Sequence, residues 1–211
     1  MKDSKIIEII AKLGQLYPGK QRCMLNYSAP HELLIAVRLS AQCTDKRVNL
    51  VTPDLFKAFP CIQDFADAKT ADVERIVKPC GLFKIKAADI VAICVELLEN
   101  YNGVIPDEMD LLLKLPGVGR KTANLILGEL YGKPAIVADT HVIRLSGRLG
   151  MVSTKNALKV EAKLWEIIPP EDGLNFCHRL VLHGRNVCKA GNPNCDSCGL
   201  KDLCEYPQRV K

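Results

Sequence analysis

The sequence predicts an all-α protein built as two helical lobes. Three observations carry that expectation. Apolar residues recur three and four positions apart nearly everywhere, as in Ile6, Ile9, Ile10 and Leu13. Strict two-residue alternation is missing, and no Asn-Gly turn joins two β-branched runs. Proline and glycine interrupt the apolar runs at spacings suited to helices, as at Tyr17-Pro18-Gly19.

In order along the chain, a first helix around residues 6–13 stops at Tyr17-Pro18-Gly19. Residues 30–42 (PHELLIAVRLSAQ) form a second, with Ser28 placed to cap it. Thr52-Pro53 looks like a cap followed by a first-turn proline, opening a short helix to Phe59. A helix over 71–78 ends before Gly81, and a long one over 84–101 is closed by Asn102-Gly103. A short helix at 107–114 leads into the tight turn Pro116-Gly117-Val118-Gly119 and a helix over 120–131. Three more are expected at 140–149, 155–167 and 172–185. Gly132-Lys133-Pro134 is the candidate junction. It would separate a helical barrel over 23–133 from a second lobe made of 1–22 with 134–211.

The 211 residues, 48% hydrophobic and 25% charged, have the composition of a soluble globular protein with a sizeable core. The net charge of +5 permits a polyanionic partner without demanding one, so nucleic-acid contact would have to come from a local patch. Lys2, Asp3, Lys5 and Glu8 break any apolar signal core, and no uncharged stretch reaches the roughly 20 residues of a membrane span. A cytoplasmic, reducing setting and a monomer are therefore expected. In such a setting clustered cysteines favour a metal over disulfides.

Six of the ten cysteines (Cys23, Cys43, Cys61, Cys80, Cys94 and Cys177) are scattered and read as small buried hydrophobes, as in Ala92-Ile93-Cys94-Val95. The other four, Cys188-x6-Cys195-x2-Cys198-x5-Cys204, fall within 17 residues and point to a metal centre. Zinc also takes four thiolates and the spacing is not a common ferredoxin pattern, so the residues alone leave the metal open.

Leu115-Pro116-Gly117-Val118-Gly119-Arg120-Lys121-Thr122-Ala123 joins two helices. Its glycines let the backbone bend and approach a surface, and their N–H groups fall at a helix start that favours an anion. A DNA phosphate is the natural ligand, which makes Leu115, Gly117, Val118 and Gly119 candidate DNA-binding residues. Lys121 lies in the first turn of the next helix and beside Arg120, two surroundings that disfavour positive charge. A lysine whose charge is disfavoured is a candidate nucleophile. Asp139, 18 residues on, stands just ahead of an apolar helix as a candidate N-cap.

LPGVGRKTA resembles the hairpin of the helix–hairpin–helix DNA glycosylases, and Ile136-Val137-Ala138-Asp139-Thr140-His141-Val142 resembles the segment that follows it there. Leu39-Ser40-Ala41-Gln42-Cys43-Thr44-Asp45 and the C-terminal cysteine spacing are similar to the endonuclease III branch, and the resemblance spans essentially the whole chain. It implies a base-excision repair glycosylase that removes oxidised pyrimidines from duplex DNA and cleaves the strand by β-elimination through Lys121. It further implies a catalytic carboxylate at Asp139 and a [4Fe–4S] cluster on Cys188, Cys195, Cys198 and Cys204. Because such an enzyme extrudes its target base, the resemblance assigns Gln42 and Leu82 to filling the gap, with His141 and Asp45 near the pocket. DNA would lie across a groove with Lys121 and Asp139 on facing sides.

Three alternatives stay open. An adenine-mismatch relative shares the cluster but usually lacks the lysine and carries an extra C-terminal domain. A thymine-mismatch glycosylase of the same fold also tends to replace the lysine. A non-catalytic helix–hairpin–helix module with a structural metal would need neither Lys121 nor Asp139.

Overall fold

In the computed structural model, which describes residues 2–206, the long helices close their apolar positions into buried stripes. The order is α1 (Lys2–Leu16), α2 (Pro30–Leu39), α3 (Asp45–Ala58), α4 (Ile62–Ala66), α5 (Thr70–Val77), α6 (Phe83–Tyr101), α7 (Met109–Leu112), α8 (Arg120–Tyr131), α9 (Thr140–Arg148), α10 (Ala157–Ile167) and α11 (Gly173–Asn186). Short 3-10 turns lie at Lys78–Cys80, Pro170–Asp172 and Lys201–Leu203. No strand occurs among the described residues, so the all-α expectation holds.

The chain separates into two units, Met24–Tyr131 and Met1–Cys23 with Gly132–Lys211. In the first, Leu33, Leu34, Val48, Leu55, Phe65, Val73, Ile90, Ile93, Leu97 and Ile126 form the core. In the second, Ile9 and Leu13 of α1 are buried, as are Val142 and Leu145 of α9, Val160 and Leu164 of α10, and Phe176 and Leu180 of α11.

Three local expectations are corrected. Helix α2 stops at Leu39, three residues early, because the chain turns at Ser40 and Gln42 takes a positive φ of 53°. Its N-cap is Ala29, not Ser28; the Glu32 carboxylate reaches back to the backbone N–H groups of Ser28 (2.5 Å) and Ala29 (3.3 Å). Thr52-Pro53 does not open a helix. Thr44 caps α3 by accepting from the Arg47 N–H at 3.3 Å, and Pro53 sits inside the helix. The stripe Val48, Val51, Thr52 and Leu55 is buried, and its burial keeps the proline-containing helix continuous. Helix α4, which the sequence pattern did not suggest, is a single short turn anchored by buried Phe65.

Candidate nucleic-acid interface and cysteine centre

In the unit Met24–Tyr131, α7 and α8 are joined by a turn built from local rules. The Val118 N–H donates to the Leu115 carbonyl at 3.1 Å, Pro116 occupies the second position, and Gly117 takes φ 66° in the third. That is a type II turn, which needs a residue able to adopt positive φ at its third position. Leu115 and Val118 are buried, so their side chains anchor the turn in the core. What the turn presents is backbone, at exposed Gly117 and Gly119 and at the start of α8. Lys121 is exposed in the first turn of α8.

The two glycines differ. A Cβ on Gly119 would meet nothing within 4 Å. A Cβ on Gly117 would lie 2.6 Å from both Arg38 Nε and Asp89 Oδ2. Those atoms belong to an ion pair that links α2 to α6, with Arg38 Nη2 and Nε 2.5 and 2.7 Å from Asp89 Oδ2. The hairpin therefore rests on a charged pair that the sequence did not single out.

Gln42 and Leu82 are both exposed and both left-handed, with φ of 53° and 48°. Gln42 follows α2, and Leu82 precedes α6. Asp45 is the first residue of α3 and half-buried. The scattered cysteines are not uniformly buried as expected. Cys80, Cys94 and Cys177 are, but Cys61 is exposed, and Cys23 and Cys43 are half-buried. Burial pushes the Cys94 and Cys177 thiols up to about 12.

In the second unit, Asp139 is the N-cap of α9; its Oδ1 accepts the Val142 N–H at 2.8 Å. His141, half-buried two residues on, has Nδ1 3.1 Å from Arg144 Nη2. Arginine is always a donor, so Nδ1 accepts and a neutral ring carries its proton on Nε2. Arg144 Nη2 also donates to the Gly184 and Cys188 carbonyls at 3.1 Å each, tying α9 to the start of the cysteine loop. Gly184 makes this approach possible, because a Cβ there would sit 2.7 Å from His141 Nδ1.

Cys188, Cys195, Cys198 and Cys204 line one cavity, and none is in a disulfide. Arg148 donates to Cys188 Sγ (3.1 Å) and to the Lys189 and Ala190 carbonyls (2.9 and 2.8 Å), and its guanidinium lies 4.1 Å over the Tyr206 ring. His183, buried in α11, has Nε2 3.3 Å from Cys198 Sγ and Nδ1 3.0 Å from Tyr17 Oη. Burial holds its imidazole below the ordinary histidine range. Burial, and then the neighbouring cysteines, raise the Cys198 and Cys204 thiols. Four cysteines lining one cavity, with N–H donors and a guanidinium beside them, suit a group that compensates several thiolate charges at once. Among the described residues no three His, Cys, Asp or Glu side chains converge on a single-ion site. Lys201 of the loop pairs with Asp196 at 3.1 Å in solvent.

Residues 35–170 match the profile of the HhH-GPD superfamily base excision DNA repair proteins, and the chain belongs to that family. Full-length relatives of the chain include endonuclease III proteins. It is 42% identical to endonuclease III of Haemophilus influenzae over the whole of both chains. It is 41% identical to that of Escherichia coli, covering 100% of this chain and 99% of the relative. It superposes on the solved structure of a trapped endonuclease III–DNA covalent intermediate with a TM-score of 0.94, at 40% identity and full coverage of both chains.

No described helix is long and apolar enough to cross a membrane.

Proposed function

We propose that this chain is a bifunctional DNA glycosylase and abasic-site lyase of base excision repair, acting on oxidised pyrimidines in duplex DNA. The observation that carries the reading is the placement of Lys121: an exposed amine in the first turn of α8, directly behind a hairpin that offers its backbone to a phosphate. The full-length likeness to a trapped endonuclease III–DNA covalent intermediate supports it.

The chemistry balances with this chain's own residues. Lys121 Nζ, as the neutral amine, attacks the sugar C1′ of the extruded nucleotide. The glycosidic C–N bond breaks, and its electron pair leaves with the base, which takes up a proton. Opening of the sugar ring gives a protonated imine. Loss of a C2′ proton then expels the 3′ phosphate with the C3′–O electron pair, and water releases Lys121. Asp139 spends Oδ1 on its cap and offers a second oxygen to the positive charge that develops on the sugar and to the proton shed by the amine. His141 stands two residues inside that cap, and Gln42 and Leu82 fill the gap in the duplex. Cys188, Cys195, Cys198 and Cys204 would hold a [4Fe–4S] cluster, and thiolate ligation to it would order the 188–204 loop.

Borohydride trapping tests the assignment. Wild type should cross-link to a duplex carrying an oxidised pyrimidine, and Lys121→Gln should lose the cross-link while still binding. Cross-linking of Lys121→Gln at the wild-type rate would remove Lys121 from the chemistry.

A further inference from the structure

Lys86 is fully buried, an unusual place for an ammonium. It lies in the first turn of α6, and its Nζ donates to two backbone carbonyls at 2.8 Å each, those of Leu39 and Cys80. Neither contact is incidental. The Leu39 carbonyl is the last of α2, one of the acceptors a helix leaves unpaired at its negative end. The Cys80 carbonyl is the last of the 3-10 turn that precedes Gly81. Gln42 follows the first contact by three residues and Leu82 follows the second by two.

Gln42 and Leu82 are two of three non-glycine residues at positive φ among the described residues; the third, Asn102, is an ordinary helix C-cap. Such residues persist only where their surroundings over-determine them. One ammonium therefore ties together the two strained segments that carry the exposed Gln42 and Leu82. We infer that Lys86 is a positioning residue: it locks the two segments flanking the extruded nucleotide in their DNA-receiving conformation, so that gap filling costs little ordering when duplex binds. This rests on the glycosylase reading above, because it needs Gln42 and Leu82 to enter a duplex.

The test compares two substrates. A lesion duplex with 2-aminopurine beside the lesion needs both segments. A short single-stranded abasic oligonucleotide has no partner base and no gap to fill, and reports only Lys121 chemistry. Lys86→Met should cut single-turnover excision on the duplex, and the 2-aminopurine signal with it, by about tenfold or more, as pre-organisation is lost. Borohydride trapping on the single strand should stay within about twofold of wild type, since the reacting groups are untouched. In a Gln42→Ala/Leu82→Ala background, Lys86→Met should add nothing further, because coupled residues are not additive.

Equal losses on both substrates in folded protein, an unchanged duplex rate, or a full additional loss in the double-alanine background would each overturn the inference. If Lys86→Met does not fold, Lys86→Gln, which keeps an N–H donor, carries the same comparison. A variant-free measurement stands beside them. In wild type labelled with 15N at lysine, one solvent-protected ammonium signal should shift on binding a duplex with an uncleavable abasic analogue, and should not shift with the single strand. Absence of that difference overturns the inference as well. A wild type that fails to trap at all would instead overturn the glycosylase reading.

Discussion

Gly117→Ala and Gly119→Ala change the same residue type two positions apart in one turn, and the structure predicts opposite outcomes. At Gly117 the backbone has φ 66°, which costs an alanine about 1–2 kcal/mol. Its Cβ would also overlap Arg38 Nε and Asp89 Oδ2 at 2.6 Å. Those atoms cannot swing away freely, because each is the other's partner and their side chains are only 13% and 23% exposed. Displacing a pair that lies between a solvated and a buried one costs about 1–3 kcal/mol. The sum is about 2–5 kcal/mol, which at a urea slope of about 2 kcal/mol/M lowers the midpoint by about 1–2.5 M. Gly119→Ala meets open space and no positive φ, so its midpoint should move by less than about 0.5 kcal/mol-equivalent. Duplex affinity should fall for Gly119→Ala nonetheless, since on the proposed function the added methyl stands where the backbone would approach phosphate. In an Arg38→Ala/Asp89→Ala background the Gly117→Ala cost should shrink to its backbone part, about 1–2 kcal/mol. Urea melts and duplex titrations on wild type, the two single variants, the Arg38→Ala/Asp89→Ala protein and its Gly117→Ala derivative decide it. A Gly117→Ala midpoint equal to wild type would refute the overlap reasoning.

Three further predictions follow from the same geometry. Asp139→Asn keeps an acceptor for the Val142 N–H, so Tm should move by no more than a few degrees while single-turnover excision falls by orders of magnitude; unchanged excision would leave Asp139 as a cap alone. Purified protein should carry about four iron and four sulfide per chain, lost in Cys198→Ser and kept in Cys94→Ala, whereas a colourless protein with one zinc would overturn the cluster. Cys94 and Cys177 are raised to about 12 in the fold, so the unfolded chain holds fewer of their protons above its own thiol pKa of about 8.5. Their stabilisation is complete below that pH and is lost as pH rises toward 12, by at most about 1.4 kcal/mol per thiol per pH unit. Urea melts of Cys94→Ala between pH 8 and 11 should show a shallower alkaline decline than wild type, and an identical decline would refute this.

Much of this protein was legible in one dimension because its signals are local. A period of three and four places helices without knowing what covers them, and Pro116 and Gly117 dictate a turn through their own φ values. Four cysteines within 17 residues can scarcely avoid one another, which is why the quartet was readable and its cavity followed. Thr52-Pro53 misled because a proline obeys the same local rule at a helix start as at a tolerated interior site; only the buried stripe from Val48 to Leu55 decides between them. Leu115 and Val118 belong to a motif that points to DNA, and only the packing shows that their side chains lie in the core while Gly117 and Gly119 are exposed. Lys86 shows the boundary well. It falls on the apolar stripe of α6 with Ile90, Ile93 and Leu97, a signal present in the sequence, yet only packing supplies the two carbonyls, at Leu39 and Cys80, that let an ammonium stay there. Arg38 and Asp89, 51 residues apart, carry no local trace of each other at all. Local rules set dihedral angles and periodicity, so sequence alone determined the helices, the turn and the cysteine quartet. Which faces meet is set by the whole chain at once, and so tertiary structure alone decided the ion pair under the hairpin and the lysine between its neighbouring loops.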